Sequence, residues 1–328
     1  MPDPHLTPVI RLAPAKLNLT LAVVGRREDG FHHLHSVFVP LDLSDRLSLA
    51  PATPTARADG LHVTGFDAGP VADNLVLRAI EAARAAIGEG PGRPATPALA
   101  VRLEKLIPVA AGLGGGSSDA AAAFDGAIEA WGADLDHERR VRAAAAIGSD
   151  VPFFLHGVPS LVEGRGERLT PLKGVHGHPG ILLVTPAVAV RTPDVFAVFD
   201  GIRGSGDGSI RMSSEHLAQE LGNGLSAADL IARAGVLASA NDLLPAALLV
   251  APGLVGVKRA LTRTLTRAVG LTGSGPTLWT LYPSLAEAHD AAAVVEAAVA
   301  AGTIPSIGDG PPSIIATTIR TGHEEPTS

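Results

Sequence analysis

The chain has 328 residues, 46% of them apolar and 3% aromatic, contains no cysteine, and carries a formal net charge of −7. That length is long for a single hydrophobic core and suits two domains, and a mean hydropathy of +0.27 leaves enough apolar surface to bury both. The negative charge and the lack of a basic cluster argue against a nucleic-acid surface, and the missing cysteines exclude disulfides, thiolate metal sites and a cysteine nucleophile.

The first fifteen residues hold prolines, Asp3 and Arg11, without the basic start and apolar run of a secretory signal. The longest apolar candidates, 181–190 and 248–257, fall short of a membrane span. A soluble, cytoplasmic protein is the expectation. Only four lysines occur, Lys16, Lys105, Lys173 and Lys258, among many arginines. An ammonium is a compact point charge where guanidinium is a planar fork, so each lysine invites a reason.

Residues 9–24 alternate as a strand, broken by Pro14, with Lys16 and Asn18 on one side and Leu17 and Leu19 on the other. A turn at 25–30 precedes Phe31, His32, His33 and His35. Three histidines this close suggest a metal, but no further cluster with ligand spacing supports a closed site. Strands are expected at 37–49 and 61–66, and Asp73 is expected to cap a helix reaching about Ile87. A loop at 88–97 follows.

Ala98 to Ile107 alternates as a half-buried strand and feeds Pro108, Val109, Ala110, Ala111, Gly112, Leu113, Gly114, Gly115, Gly116, Ser117 and Ser118. The alanine-rich stretch beyond predicts a helix starting near Ser117 or Ser118, capped by those serines and ending at Gly132. Strand, glycine loop and helix in this order suit an anion. Unpaired amides and the helix dipole face it, and the glycines keep side chains away. It is not a P-loop, because Gly116 stands where the lysine belongs, and Ser117 breaks a dinucleotide fingerprint begun at Gly112.

A helix at 137–147 closes at Gly148. Asp150 then precedes a buried apolar run, as either a local cap or a functional group, and position alone favours the cap. Further expectations are a turn at 164–166, a buried strand at 180–190 and a helix capped by Thr192 with Pro193 at its first position. A mobile Gly/Ser-rich loop is expected at 201–214, helices at 227–238 and 246–250, and a second glycine turn at 271–279. Ser284 and Glu287 form a capping box for a helix to Ala301, and a last strand at 313–320 leads to a polar tail.

Three of these segments, Pro14 to Leu19, the loop from Pro108 to Ser118, and Thr272 to Pro276, resemble in order and spacing the three motifs of the GHMP kinases across nearly the whole chain. The resemblance implies an α+β, two-domain GHMP kinase fold with its active site in the interdomain cleft. Residues 1–155 would form the N-terminal ATP-binding domain and 156–328 the C-terminal domain.

Side motifs at Gly25-Arg26, Asp29 to His32, Gly148 to Phe153, and Thr192-Pro193 with Phe196 resemble one branch of the family. That branch phosphorylates the 2-hydroxyl of a cytidylylated methylerythritol from ATP, in the non-mevalonate route to isoprenoid precursors. By resemblance, Asp150 is the general base and Lys16 sits beside it, stabilising the moving phosphoryl group. Asn18 and Thr192 orient the acceptor, and Phe31 and Phe196 stack the cytosine while His32 reads its edge. Asn74, Lys105 and the residues from Pro108 to Ser118 bind ATP with Mg²⁺, for which Ser118 is a candidate ligand.

Two departures stand out: Phe31 replaces a tyrosine common in the family, and Ala110 and Ala111 replace glycines at the loop entry. Two other readings stay open, a homoserine- or mevalonate-type kinase and a nucleotide-binding sensor without turnover. The oligomeric state is not legible.

Overall fold

The opening alternation forms one uninterrupted strand through Pro14, β1 (Val9–Arg26), followed by β2 (His32–Pro51) and β3 (Gly60–Gly65). Next come α1 (Leu75–Ile87), β4 (Leu99–Lys105), α2 (Gly115–Ala130), α3 (His137–Ile147) and α4 (Val151–His156). The computed structural model describes residues 8–88, 92, 94–202 and 208–320. By contacts the chain divides into two compact units that interleave along the sequence. One takes in the described residues up to Ala15, Leu43–Val109 and Gly114–His156, and the other Lys16–Asp42, Ala110–Leu113 and the described residues from Gly157.

In the first unit the later part of β2 pairs antiparallel with β4, Leu47 opposite Leu103 and Leu49 opposite Val101, and β3 lies parallel to β4. Along β4 the alternation buries Leu99, Val101, Leu103 and also Lys105. The period of two therefore sends a lysine inward at the end of an apolar row. Helix α1 packs on α2, where Phe124 and the alanines at 120–123 are buried.

The second unit continues with β5 (Ser160–Gly164), β6 (Arg168–Pro171), β7 (Val175–His176) and β8 (Gly180–Thr185), then α5 (Thr192–Ile202), α6 (Gly208–Asn223) and β9 (Leu225–Ser226). It is completed by α7 (Ala227–Ala232), α8 (Ala234–Leu237), α9 (Leu244–Val250), α10 (Gly253–Leu265), β10 (Gly270–Leu271), β11 (Leu278–Tyr282), α11 (Leu285–Ala300) and β12 (Ser313–Thr318). An antiparallel sheet in the order β10-β11-β8-β12 carries its core on β8, buried at every position, with Leu182, Val184, Phe199, Leu254, Leu278 and Val295. The earlier part of β2 pairs with β5, which turns back into β6.

Several expectations are corrected. Helix α2 begins at Gly115, with Gly114 as a left-handed N-cap at φ +72° and no side-chain cap, so Ser117 and Ser118 lie inside the first turn. The cap of α1 is Asn74, whose side chain accepts the Val76 N–H at 3.0 Å, while Asp73 closes a short 3₁₀ turn. Helix α5 starts at Thr192 itself. The buried strand at 180–190 stops at Thr185, because Pro186 has no N–H to give a ladder.

The loop expected at 201–214 is helical at 201–202 and again from Gly208, with residues 203–207 outside the described residues. Burial of Ser214, Leu217, Ala218 and Leu221 along one face of α6 outweighs the Gly/Ser composition. Helix α10 went unpredicted because of Pro252, Gly253 and Gly256, although Leu254, Val257 and Leu261 sit at helical spacing and are buried. Parts of the 88–97 loop and the polar tail after Arg320 lie outside the described residues.

The capping of α11 matches its sequence signature, the Ser284 hydroxyl accepting the Glu287 N–H at 3.2 Å. Ser284→Ala is expected to lower the unfolding free energy by about 1 kcal/mol, read as a shifted urea midpoint at constant slope.

Candidate active site

The glycine loop takes its shape from positive φ angles at Ala110 (+53°), Gly112 (+77°) and Gly114 (+72°). At Gly112 a Cβ would stand 2.6 Å from the Thr272 carbonyl oxygen, so close backbone approach and left-handed geometry both require glycine. Ala110 adopts left-handed geometry without that freedom, at a cost of about 1 kcal/mol. Gly112→Ala is expected to raise the KM for ATP about tenfold or more and to lower Tm, both read on the purified variant.

Lys16 is buried on β1, where its ammonium donates to the Asn18 side-chain oxygen and, at 2.9 Å, to the Gly112 carbonyl, and lies 4.8 Å from the Phe38 ring centre. The shared face expected for Lys16 and Asn18 is therefore a direct contact. Asn18 donates to the Ser36 hydroxyl at 3.1 Å and accepts from the Thr272 hydroxyl at 3.2 Å. Thr272, which the sequence reading placed in a motif without a role, also takes the Asn18 backbone N–H at 3.1 Å. Nothing local in the sequence points to this pairing.

Lys105 turns inward between two carboxylates. Its ammonium donates to Asp45 and, at 2.7 Å, to Asp119, all three side chains being buried. The other Asp45 oxygen accepts the Leu106 and Ile107 amides. Burial pushes the Asp119 carboxyl upward, Lys105 pulls it back, and the Asp45 charge adds to the rise.

At the start of α2 the first-turn amides have no partner within the helix. Among the described residues, the buried Ser118 hydroxyl also has no hydrogen-bond partner. Gly116 lies beside the start of α1, where a Cβ would be 3.8 Å from Leu75, so Asn74 borders the same corner. Asp150 occupies the turn between α3 and α4. Its carboxylate makes no hydrogen bond or ion pair among the described residues, so the cap reading has no bond behind it. Asp150 belongs to the first unit and Lys16 to the second.

In the second unit the His32 ring stacks on Phe196 with centroids 4.6 Å apart and bonds Asp200 at 2.7 Å. Phe31 is half exposed under the Arg165 guanidinium, 4.0 Å from the ring centre. One face of Phe196 is thus filled by His32. Asp200 was missed, although it follows Phe196 by four residues and shares its helix face. His35 is held by Ser214 at 2.9 Å, so His32 and His35 serve different partners. The Thr192 hydroxyl meets that of Ser274 at 2.9 Å.

Two layered α+β units, and a glycine loop that opens a helix beside a buried lysine, define a small-molecule kinase of the GHMP type that uses ATP. The family model "GHMP kinases N terminal domain" matches residues 74–158. Over 285 residues the chain is 37% identical to a 4-diphosphocytidyl-2-C-methyl-D-erythritol kinase of Pelotomaculum thermopropionicum, covering 87% of this chain and 93% of that protein. It is 39% identical over 290 residues to the enzyme of the same name from Methylorubrum extorquens, covering 87% and 94%. A crystal structure of 4-(cytidine 5′-diphospho)-2C-methyl-D-erythritol kinase superposes with TM-score 0.68 at 31% identity, covering 95% of this chain and 99% of that one. The chain belongs to the 4-diphosphocytidyl-2-C-methyl-D-erythritol kinase family. A homoserine kinase from Cytophaga hutchinsonii, at 17% identity and TM-score 0.66, shares the fold. Among the described residues no helix is long and apolar enough to cross a membrane.

Proposed function

We propose that this chain transfers the γ-phosphoryl group of ATP to the 2-hydroxyl of 4-diphosphocytidyl-2-C-methyl-D-erythritol, giving the 2-phosphate and ADP, as a cytoplasmic enzyme with no nucleic-acid partner. Residues 1–155 serve as its ATP-binding domain and 156–328 as its C-terminal domain. The observation that carries the choice of acceptor is the ring cluster of His32 and Phe196 with Asp200, in a chain where aromatic residues are scarce. A flat, polarisable base stacks on such rings and finds hydrogen bonds at their edge, with Phe31 as a further stacking surface.

Phosphoryl transfer is mainly positioning and charge neutralisation. The segment from Pro108 to Ser118 supplies backbone amides to the ATP phosphates, with Asn74 and Lys105 on the same side. Mg²⁺ takes one or two protein oxygens and otherwise phosphate and water, so the unpaired Ser118 hydroxyl fits it as a ligand. There the ion would neutralise charge on the phosphates. Asp150 accepts the acceptor hydroxyl proton as the oxygen–phosphorus bond forms. Lys16 balances charge on the moving phosphoryl group and is aimed by Asn18. Thr192, paired with Ser274, orients the acceptor.

A product assay with ATP and the cytidylylated methylerythritol, run beside homoserine and mevalonate, tests this reading. One ADP per phosphorylated cytidylyl product is expected. Faster turnover of homoserine or mevalonate would reassign the substrate, and nucleotide binding without any product would favour a sensor.

A further inference from the structure

We infer that Lys105 is a positioning residue for the nucleotide, locked with Asp45 and Asp119 into a buried ionic clasp that holds the first turn of α2 against the end of β4. The inference rests on the reading of the glycine loop as the ATP site. It changes the part Lys105 plays there and brings in two carboxylates that no motif marks.

The clasp grips both ends of the loop's first-unit frame. On the strand side, Asp45 takes the Leu106 and Ile107 amides, the last two before Pro108. On the helix side, Asp119 lies one turn into α2 and takes the ammonium at 2.7 Å. Lys105 joins them from below: a Cβ on Gly115 would stand 3.2 Å from its Nζ and 3.1 Å from the Ile107 side chain. Glycine at 115 therefore lets the helix start settle directly onto the ammonium. Only 3% of Lys105 is exposed.

Two of the three ammonium N–H groups are held by carboxylates, and moving Nζ outward to a phosphate would break those bonds in an apolar interior, which is strongly unfavourable. Kept in place, it fixes where the amides of Gly115, Gly116 and Ser117 point. It also offsets the charge of the carboxylates beneath a site meant for a polyanion.

The test uses the full chain, with steady-state kinetics, thermal melting, and calorimetry with ADP. Lys105→Met is expected to raise the KM for ATP and the Kd for ADP about tenfold or more, leaving the acceptor KM within about twofold. Should that variant not fold, Asp119→Asn keeps the side-chain size and is expected to show the same selective loss.

The deciding variant is Lys105→Met with Asp119→Leu and Asp45→Asn, which removes the ammonium and both carboxylates together and leaves a side-chain oxygen at position 45 for the two amides. It should bring the KM for ATP back to within about threefold of wild type, because a buried ionic group can be replaced by apolar packing. A lysine that touched ATP could not be rescued so. The clasp is refuted by a triple variant that melts like wild type yet binds ADP as weakly as Lys105→Met, or by an Asp119→Asn protein with unchanged KM for ATP. A wild-type chain that binds ADP but ignores the cytidylyl acceptor would end the acceptor reading alone, since ADP affinity still reads the clasp.

Discussion

Asp150→Asn is expected to lower kcat by about a thousandfold while ADP affinity stays within about threefold of wild type. The turn that carries Asp150 is well anchored. The Gly148 N–H bonds the Ala144 carbonyl at 3.3 Å, the Val151 N–H returns to the Gly148 carbonyl at 3.2 Å, and Val151 and Phe153 are fully buried behind it. The carboxylate itself has no hydrogen bond or ion pair among the described residues. An asparagine there has the same size and removes no structural bond, so Tm is expected to hold. What the amide cannot do is take a proton from an attacking hydroxyl. Single-turnover rates with ATP and the cytidylylated acceptor measure that loss directly, and an unchanged rate would remove Asp150 as the base.

Lys16→Met is expected to cut kcat by about a hundredfold or more, the scale seen when one charge-stabilising donor is lost in a water-poor site. The methionine keeps much of the apolar length beside Phe38 but ends the contacts to the Gly112 carbonyl and the Asn18 oxygen. A stability loss of about 1–3 kcal/mol should accompany it, because two acceptors lose their charged donor. Lys16→Arg is informative beside it. The guanidinium fork does not fit the place of a compact ammonium, so charge alone should restore little activity. If Lys16→Arg recovered most of the wild-type kcat, charge without geometry would suffice and the positioning argument for Lys16 would fail.

Much of the site could be read before any fold was known, because its parts are local. The glycine loop stands between an alternating strand and an alanine-rich helix, and β4 and α2 flank it as expected. Lys16 and Asn18 share a strand face by the period of two, and they touch. Where local signals failed, a competing local option won: Gly114 took the cap from the serines, and Asn74 took it from Asp73. In both places the backbone had two acceptable starts, and packing selected one.

The sequence alone determined the order of the motifs, the anion-friendly loop and the inventory of scarce groups, lysines and aromatics among them, since these depend on neighbours along the chain. Only the tertiary structure decided which distant side chains meet them. Thr272 closes on Asn18 across 254 residues, Asp200 on His32 across 168, and Asp45 on Lys105 across 60. The reason is physical: a strand or helix period says which way a side chain faces, but the partner it finds there is set by how the elements pack, and buried polar groups must find one.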